Sequence, residues 1–178
     1  MFFEGMIATA DSLSICRDMG KHEPELVICD MAETDLAEVL AIERAVFPSP
    51  WSENMFRQEL RFPLAGNLAA KISGREVVGY MNFWIIAGEV QLHNVAVKAE
   101  CQKRGVAFAL MAEMIRRARR EGALCATLEV RPSNEQARRL YEKFGFEVRG
   151  IRPSYYADTK EDALIMWADL GEDNDAGK

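Results

Sequence analysis

No apolar run in this 178-residue chain reaches the roughly 18 residues that a membrane-spanning helix needs, so no membrane span is expected. Nor does a basic stretch precede an apolar core at the N-terminus. Phe2 and Phe3 are soon followed by Glu4, Asp11, Arg17 and Asp18, which makes a poor secretory signal. Cysteine is sparse and unpatterned: Cys16, Cys29, Cys101 and Cys125 form no Cys-x-x-Cys pair, which argues for reduced thiols over a disulfide framework or a zinc site. No metal is expected. Positive charge is also short, with 22 Lys and Arg against 28 Asp and Glu and a formal net charge of −6, so a broad nucleic-acid surface is not expected. These absences point to a cytoplasmic protein that binds neither membrane nor nucleic acid directly.

The length fits one domain able to bury a sizeable core, and 49% hydrophobic residues are ordinary for a globular chain. A short strand over 26–29 is followed by a helix with Thr34 as N-cap and an inner stripe of Leu36, Val39, Leu40 and Val46. Pro48 and Pro50 break it, and Ser52 caps a second helix carrying Met55, Phe56 and Leu60. Paired strands are expected over 67–72 and 77–86, another strand over 91–97, and then a helix burying Val106, Leu110, Met114 and Ala118. A strand over 123–130 leads to Ser133-x-x-Gln136, the spacing of a capping box, and to a helix with Ala137, Leu140, Tyr141 and Phe144 inward. Gly145 suits the left-handed position that ends it, and strands over 146–151 and 163–169 complete a mixed α/β order of β-α-α-β-β-β-α-β-α-β-β. Residues 1–24 stand apart as an extension of unclear structure, 25–170 form the domain, and 171–178 form an acidic tail.

The most informative stretch is Cys101-Gln102-Lys103-Arg104-Gly105-Val106-Ala107-Phe108, between a strand and a long helix. A small-residue turn opening a helix aims several unpaired N–H groups at one point, where the helix dipole adds positive charge, and so suits an anion such as a pyrophosphate. The spacing Gln-x-x-Gly-x-Ala is neither a P-loop nor a dinucleotide fingerprint. A plain helix-start turn also explains it, so its flanks decide. Arg116, Arg117, Arg119 and Arg120 at the helix end are read as solvated cations favoured by the dipole.

Five collinear blocks resemble the GCN5-related N-acetyltransferases: Leu92-His93-Asn94-Val95-Ala96-Val97, residues 102–107, Leu128-Glu129-Val130-Arg131-Pro132-Ser133-Asn134, residues 137–146, and Arg152-Pro153-Ser154-Tyr155-Tyr156 with residues 162–166. The resemblance spans roughly residues 25–170 and is strongest to the branch that acetylates the N-terminal alanine of a ribosomal protein. Ala107 stands where many relatives have Gly, and Cys101 where an aromatic is frequent; neither removes a group the chemistry needs. The resemblance implies an acyl-coenzyme A N-acyltransferase fold: a central mixed β-sheet with splayed parallel strands, flanked by helices. Acetyl-coenzyme A would lie in the splay, paired with backbone of Val95, Ala96 and Val97. Its pyrophosphate would be held by Gln102, Lys103, Arg104, Gly105, Val106, Ala107 and Phe108, with Asn134 as a further contact.

By the same resemblance Glu129 is the general base and Tyr141 the acid that protonates the departing thiolate. Without it, Glu129 reads as a solvent-facing strand residue and Tyr141 as a core aromatic. His93 is a rival base, although an ordinary hydrogen-bonded histidine is the plainer reading. Covalent catalysis through Cys101 or Cys125 is the weaker mechanism, because neither has an evident activating base. The expected reaction is direct attack of a protein's free N-terminal amine on acetyl-coenzyme A, the acceptor being a ribosomal protein that begins with alanine. Residues 47–51 and 152–162 would flank its entrance. Alternatives are a relative that modifies lysine or a small amine, and a catalytically silent acyl-coenzyme A binding module.

Overall fold

The computed structural model describes residues 25–171. The expected extension over 1–24, and the tail beyond Gly171, lie outside the described residues.

Seven strands form one sheet in the order β1-β2-β3-β4-β5-β7-β6: β1 (Leu26–Asp30), β2 (Ala65–Ile72), β3 (Glu76–Ile86), β4 (Glu89–Val97), β5 (Cys125–Val130), β6 (Glu147–Arg152) and β7 (Ala163–Asp169). Tight turns make the central meander possible. Ser73, Gly74 and Arg75 join β2 to β3, with positive φ at the first two, and Ala87 and Gly88 join β3 to β4, both with positive φ as a twisted two-residue hairpin requires. Every neighbouring pair is antiparallel except β4 and β5.

Strand alternation sends successive side chains to opposite faces, and the core divides accordingly. Leu68 and Ala70 pack with α3 (Val106–Arg120) and α4 (Glu135–Lys143), whereas Ala69 between them packs with α1 (Leu36–Val46) and α2 (Glu53–Arg61). Leu110, Met111 and Met114 of α3 are fully buried, each contributing about 1.5–3 kcal/mol by leaving water. Gly66 lies under the Phe83 ring, where an added Cβ would come within 2.1 Å of the ring; any larger residue must displace that core aromatic.

The helix stripes stand as expected, but two caps and one core position differ. Thr34 lies inside a 3-10 turn (Glu33–Asp35), and α1 starts after Asp35, whose carboxylate instead accepts from the Ala32 amide at 2.9 Å. The cap of α4 is Asn134, whose Oδ1 accepts from the Ala137 amide at 3.1 Å. Ser133 is drawn away because its hydroxyl and amide both donate to Glu161. Val46, at the end of α1, is exposed rather than part of the core. Gly145 does take the left-handed conformation (φ 80°) and closes α4 with the Phe146 amide bonded to the Tyr141 carbonyl.

Candidate active site

The parallel pair β4 and β5 is in register from Glu89↔Cys125 to Leu92↔Leu128 and then separates into a fork. The cause lies on the other side of β4. Its pairing with β3 passes from Phe83↔Leu92 directly to Asn82↔Asn94, leaving His93 as an extra residue in a β-bulge that bends the strand away from β5. Leu92 and Val95 both pack toward α3, so the two residues between them, His93 and Asn94, share the opposite face. The His93 ring accordingly meets Trp84 at 4.5 Å in a T-shaped contact, and Asn94 meets the Tyr80 hydroxyl.

A cleft of about 1710 Å³ runs through the fork, lined by Val95, Ala96 and Val97 of β4, by Glu129 of β5 and by Tyr141 of α4. Gln102, Lys103, Gly105, Val106, Ala107, Phe108 and Asn134 also line it, whereas Arg104 does not. Two left-handed residues, Lys103 (φ 59°) and Gly105 (φ 80°), turn the chain into α3, and Gln102 fastens the turn by donating to the Val97 carbonyl at 3.2 Å. Gly105 is the N-cap of α3 and supplies no side-chain acceptor, so the first-turn amides of Val106, Ala107 and Phe108 remain available to a ligand. Backbone groups past the fork together with these amides fit an extended amide-bearing arm ending in a pyrophosphate, as in acetyl-coenzyme A. Asn134 caps α4 with its side-chain oxygen and keeps its amide N–H groups for such a ligand.

Glu129 is half-buried, with Leu128 and Val130 packed on the opposite face as the alternation requires. One carboxylate oxygen pairs with Arg152 at 2.9 Å, and the Tyr155 hydroxyl also engages it. Tyr141 is buried, and that burial, followed by the nearby Tyr156, pushes its hydroxyl well above the ordinary phenol range. The group is a firmly protonated hydrogen-bond donor, and full transfer of its proton to a thiolate is costlier than from an ordinary phenol. Burial, followed by Glu89 and Asp169, also raises the Cys125 thiol, the reverse of what a thiolate nucleophile needs.

Two segments wall the other half of the cleft. Residues 153–162 are clamped to the end of β5 by Arg131, which pairs with Asp158 at 2.9 Å, donates to Thr159 at 2.6 Å and lies 3.7 Å over the Tyr156 ring. That pairing holds the Asp158 carboxyl below its usual range. Residues 47–51 are fixed by Glu43, fully buried on α1, which accepts from the Trp51 amide at 2.7 Å and from the buried Tyr80 hydroxyl. A hydrogen-bonded chain therefore runs from Trp51 through Glu43 and Tyr80 to Asn94 at the fork. Sequence reasoning gave Glu43 and Arg131 no role. The only signal for Glu43 was a charge on the inner side of an apolar stripe.

Residues 36–146 match the model of the Acetyltransferase (GNAT) family. A protein of Bacillus subtilis strain 168, provisionally named a ribosomal protein bS18-alanine N-acetyltransferase, is 37% identical over 144 residues, 80% of this chain and 95% of that one. The ribosomal protein bS18-alanine N-acetyltransferase of Escherichia coli strain K12 is 33% identical over 146 residues, 78% of this chain and 94% of its own. The crystal structure of the ribosomal-protein-S18-alanine N-acetyltransferase from Escherichia coli superposes with a TM-score of 0.76 at 30% identity, covering 84% of this chain and 98% of that one. Shared sequence over most of the length and a shared overall fold lead to one assignment: the chain belongs to the GNAT family of acetyltransferases, which use acetyl-coenzyme A.

Proposed function

We propose that this protein transfers the acetyl group of acetyl-coenzyme A to the free α-amine of a protein beginning with alanine, a bacterial ribosomal protein of the bS18 type. The observation that carries this reading is the fork, with Glu129 on one arm and a buried Tyr141 beside the opening. The relatives named for bS18-alanine acetylation, which this chain matches over more than nine-tenths of their length, supply the acceptor.

The bound co-substrate supplies an activated acetyl thioester. The amides of Val106, Ala107 and Phe108 hold its anionic end, and the β4 backbone orients its arm toward the fork. Glu129 accepts a proton from the attacking amine, directly or through water, and Tyr141 donates a hydrogen bond to the leaving sulfur. Nothing in this scheme needs an acyl-enzyme, because both reactants are held together in one cleft.

An α-amine is easier to free of its proton than a lysine side chain. At pH 7 freeing it costs roughly 1.4 kcal/mol, against about 4.6 kcal/mol for a lysine. The clamped 153–162 segment also favours the end of a chain over an internal residue, because Arg131 pins it across the fork. Two peptides in competition test this: one with a free N-terminal alanine, one blocked at its N-terminus and carrying an internal lysine. Mass spectrometry is expected to find the acetyl group on the alanine peptide, and a preference for lysine overturns the reading.

A further inference from the structure

An α-ammonium that becomes an amide sheds two protons, one before nitrogen attacks and one as the new bond forms. Only one of the two is regained by the departing sulfur. Glu129 is one acceptor, and its charge is already met by Arg152. A second acceptor on the same side of the sheet would give each proton its own destination.

His93 occupies that place. The last in-register pair of the fork is Leu92↔Leu128, so His93 and Glu129 are the first residue of each arm beyond it. Leu92 and Leu128 are both buried toward α3 and α4, so His93 and Glu129 both project to the opposite face, and both line the cleft. The bulge that opens the fork also places Asn94 on this face, beside His93. From behind, the imidazole is fixed by Trp84, whose indole N–H donates to Glu59 of α2 at 2.7 Å.

We infer that His93 is a second catalytic proton acceptor, taking one proton of the acceptor amine while Glu129 takes the other. The nitrogen bonds to the acetyl carbon, the carbon–sulfur bond breaks, and the sulfur leaves with its electron pair and one proton, so one proton is released to water per turnover. Partial burial depresses the imidazole pKa, so His93 is neutral and receptive at pH 7. The charged groups facing it are Glu59 from α2 and Glu129 from β5, and both favour the imidazolium that forms. Arg152 of β6 is held by Glu129, and Trp84 of β3 brings no charge.

This inference rests on the α-amine reading above, and the test separates the two. Rates of alanine-peptide acetylation are measured from pH 6 to 9.5 for the unaltered protein, His93→Gln and His93→Ala, with imidazole added to the last. The expected result is a loss of at least tenfold in kcat/KM at pH 7 for both variants, shrinking toward pH 9.5, where the amine is already free. Imidazole restores part of the His93→Ala rate, and acetyl-coenzyme A affinity stays unchanged. A loss that is the same at every pH and insensitive to imidazole marks a packing role against Trp84 and overturns the inference alone. No turnover of the peptide by the unaltered protein overturns the acceptor assignment, and this inference with it.

Discussion

At the scale of single residues the site depends on conformation as much as on charge. Gly105 sits at φ 80°, a region costly for any side chain, and opens the helix whose free amides face the cleft. Gly105→Asp adds strain and a negative charge at the proposed anion site. Calorimetry is expected to find acetyl-coenzyme A binding lost while the circular dichroism of the fold persists; unchanged affinity would remove this turn from the binding site. Glu129→Gln is expected to lower kcat by about 10²- to 10³-fold, most steeply at low pH, where the amine is protonated. Tyr141→Phe removes the hydroxyl that burial keeps protonated, and slowed thiol release with little change in cofactor affinity is the expected outcome. Normal pH–rate profiles in both variants would take these two residues out of the mechanism.

At the scale of elements, the buried carboxyl of Glu43 joins α1, the 47–51 segment and β3. Glu43→Ala orphans the Trp51 amide and the Tyr80 hydroxyl, at about 1–3 kcal/mol for each. For a chain of this size each kcal/mol corresponds to roughly 2–4 °C in Tm, so scanning calorimetry reads the effect directly. The peptide KM is expected to rise more than that for acetyl-coenzyme A, because the pinned segment walls the acceptor side. What was legible in the sequence follows the same division. Elements with a strong period or a glycine stop, such as α3 and α4 with Gly145, could be read in order and nearly to their ends. The β-bulge at His93 could not, since neither glycine nor proline marks it and only the β3 register creates it. Glu129, Tyr141, the 102–108 turn and the Arg152–Tyr156 segment were singled out through motif blocks. The pairing of Arg152 and Tyr155 with Glu129, and of Glu43 with Trp51 and Tyr80, comes from long-range packing, which periodicity does not encode.

At the scale of the whole molecule, α3 is tied to the sheet edge by charge. Arg117 links Asp30 at the end of β1 to Glu113 within the helix, and Arg116 also grips Glu113, holding that carboxyl below its usual range. A depressed folded pKa adds stability that is present above the unfolded value near 4.3 and lost as pH falls through the folded one. Acid titration followed by circular dichroism is expected to unfold the protein less steeply in Glu113→Gln than in the unaltered chain; identical curves would deny that group a part. The ion pair across the fork has a consequence for the cycle as a whole. In the proposed reaction the acceptor arrives as a cation and competes with Arg152 for Glu129; afterwards it is a neutral amide whose single N–H is a far weaker partner for that carboxylate. The arginine then re-pairs with that carboxylate once the amide has formed, which weakens the hold of the cleft on the finished peptide. Acetylated peptide should accordingly inhibit the unaltered enzyme weakly and Arg152→Ala several-fold more strongly.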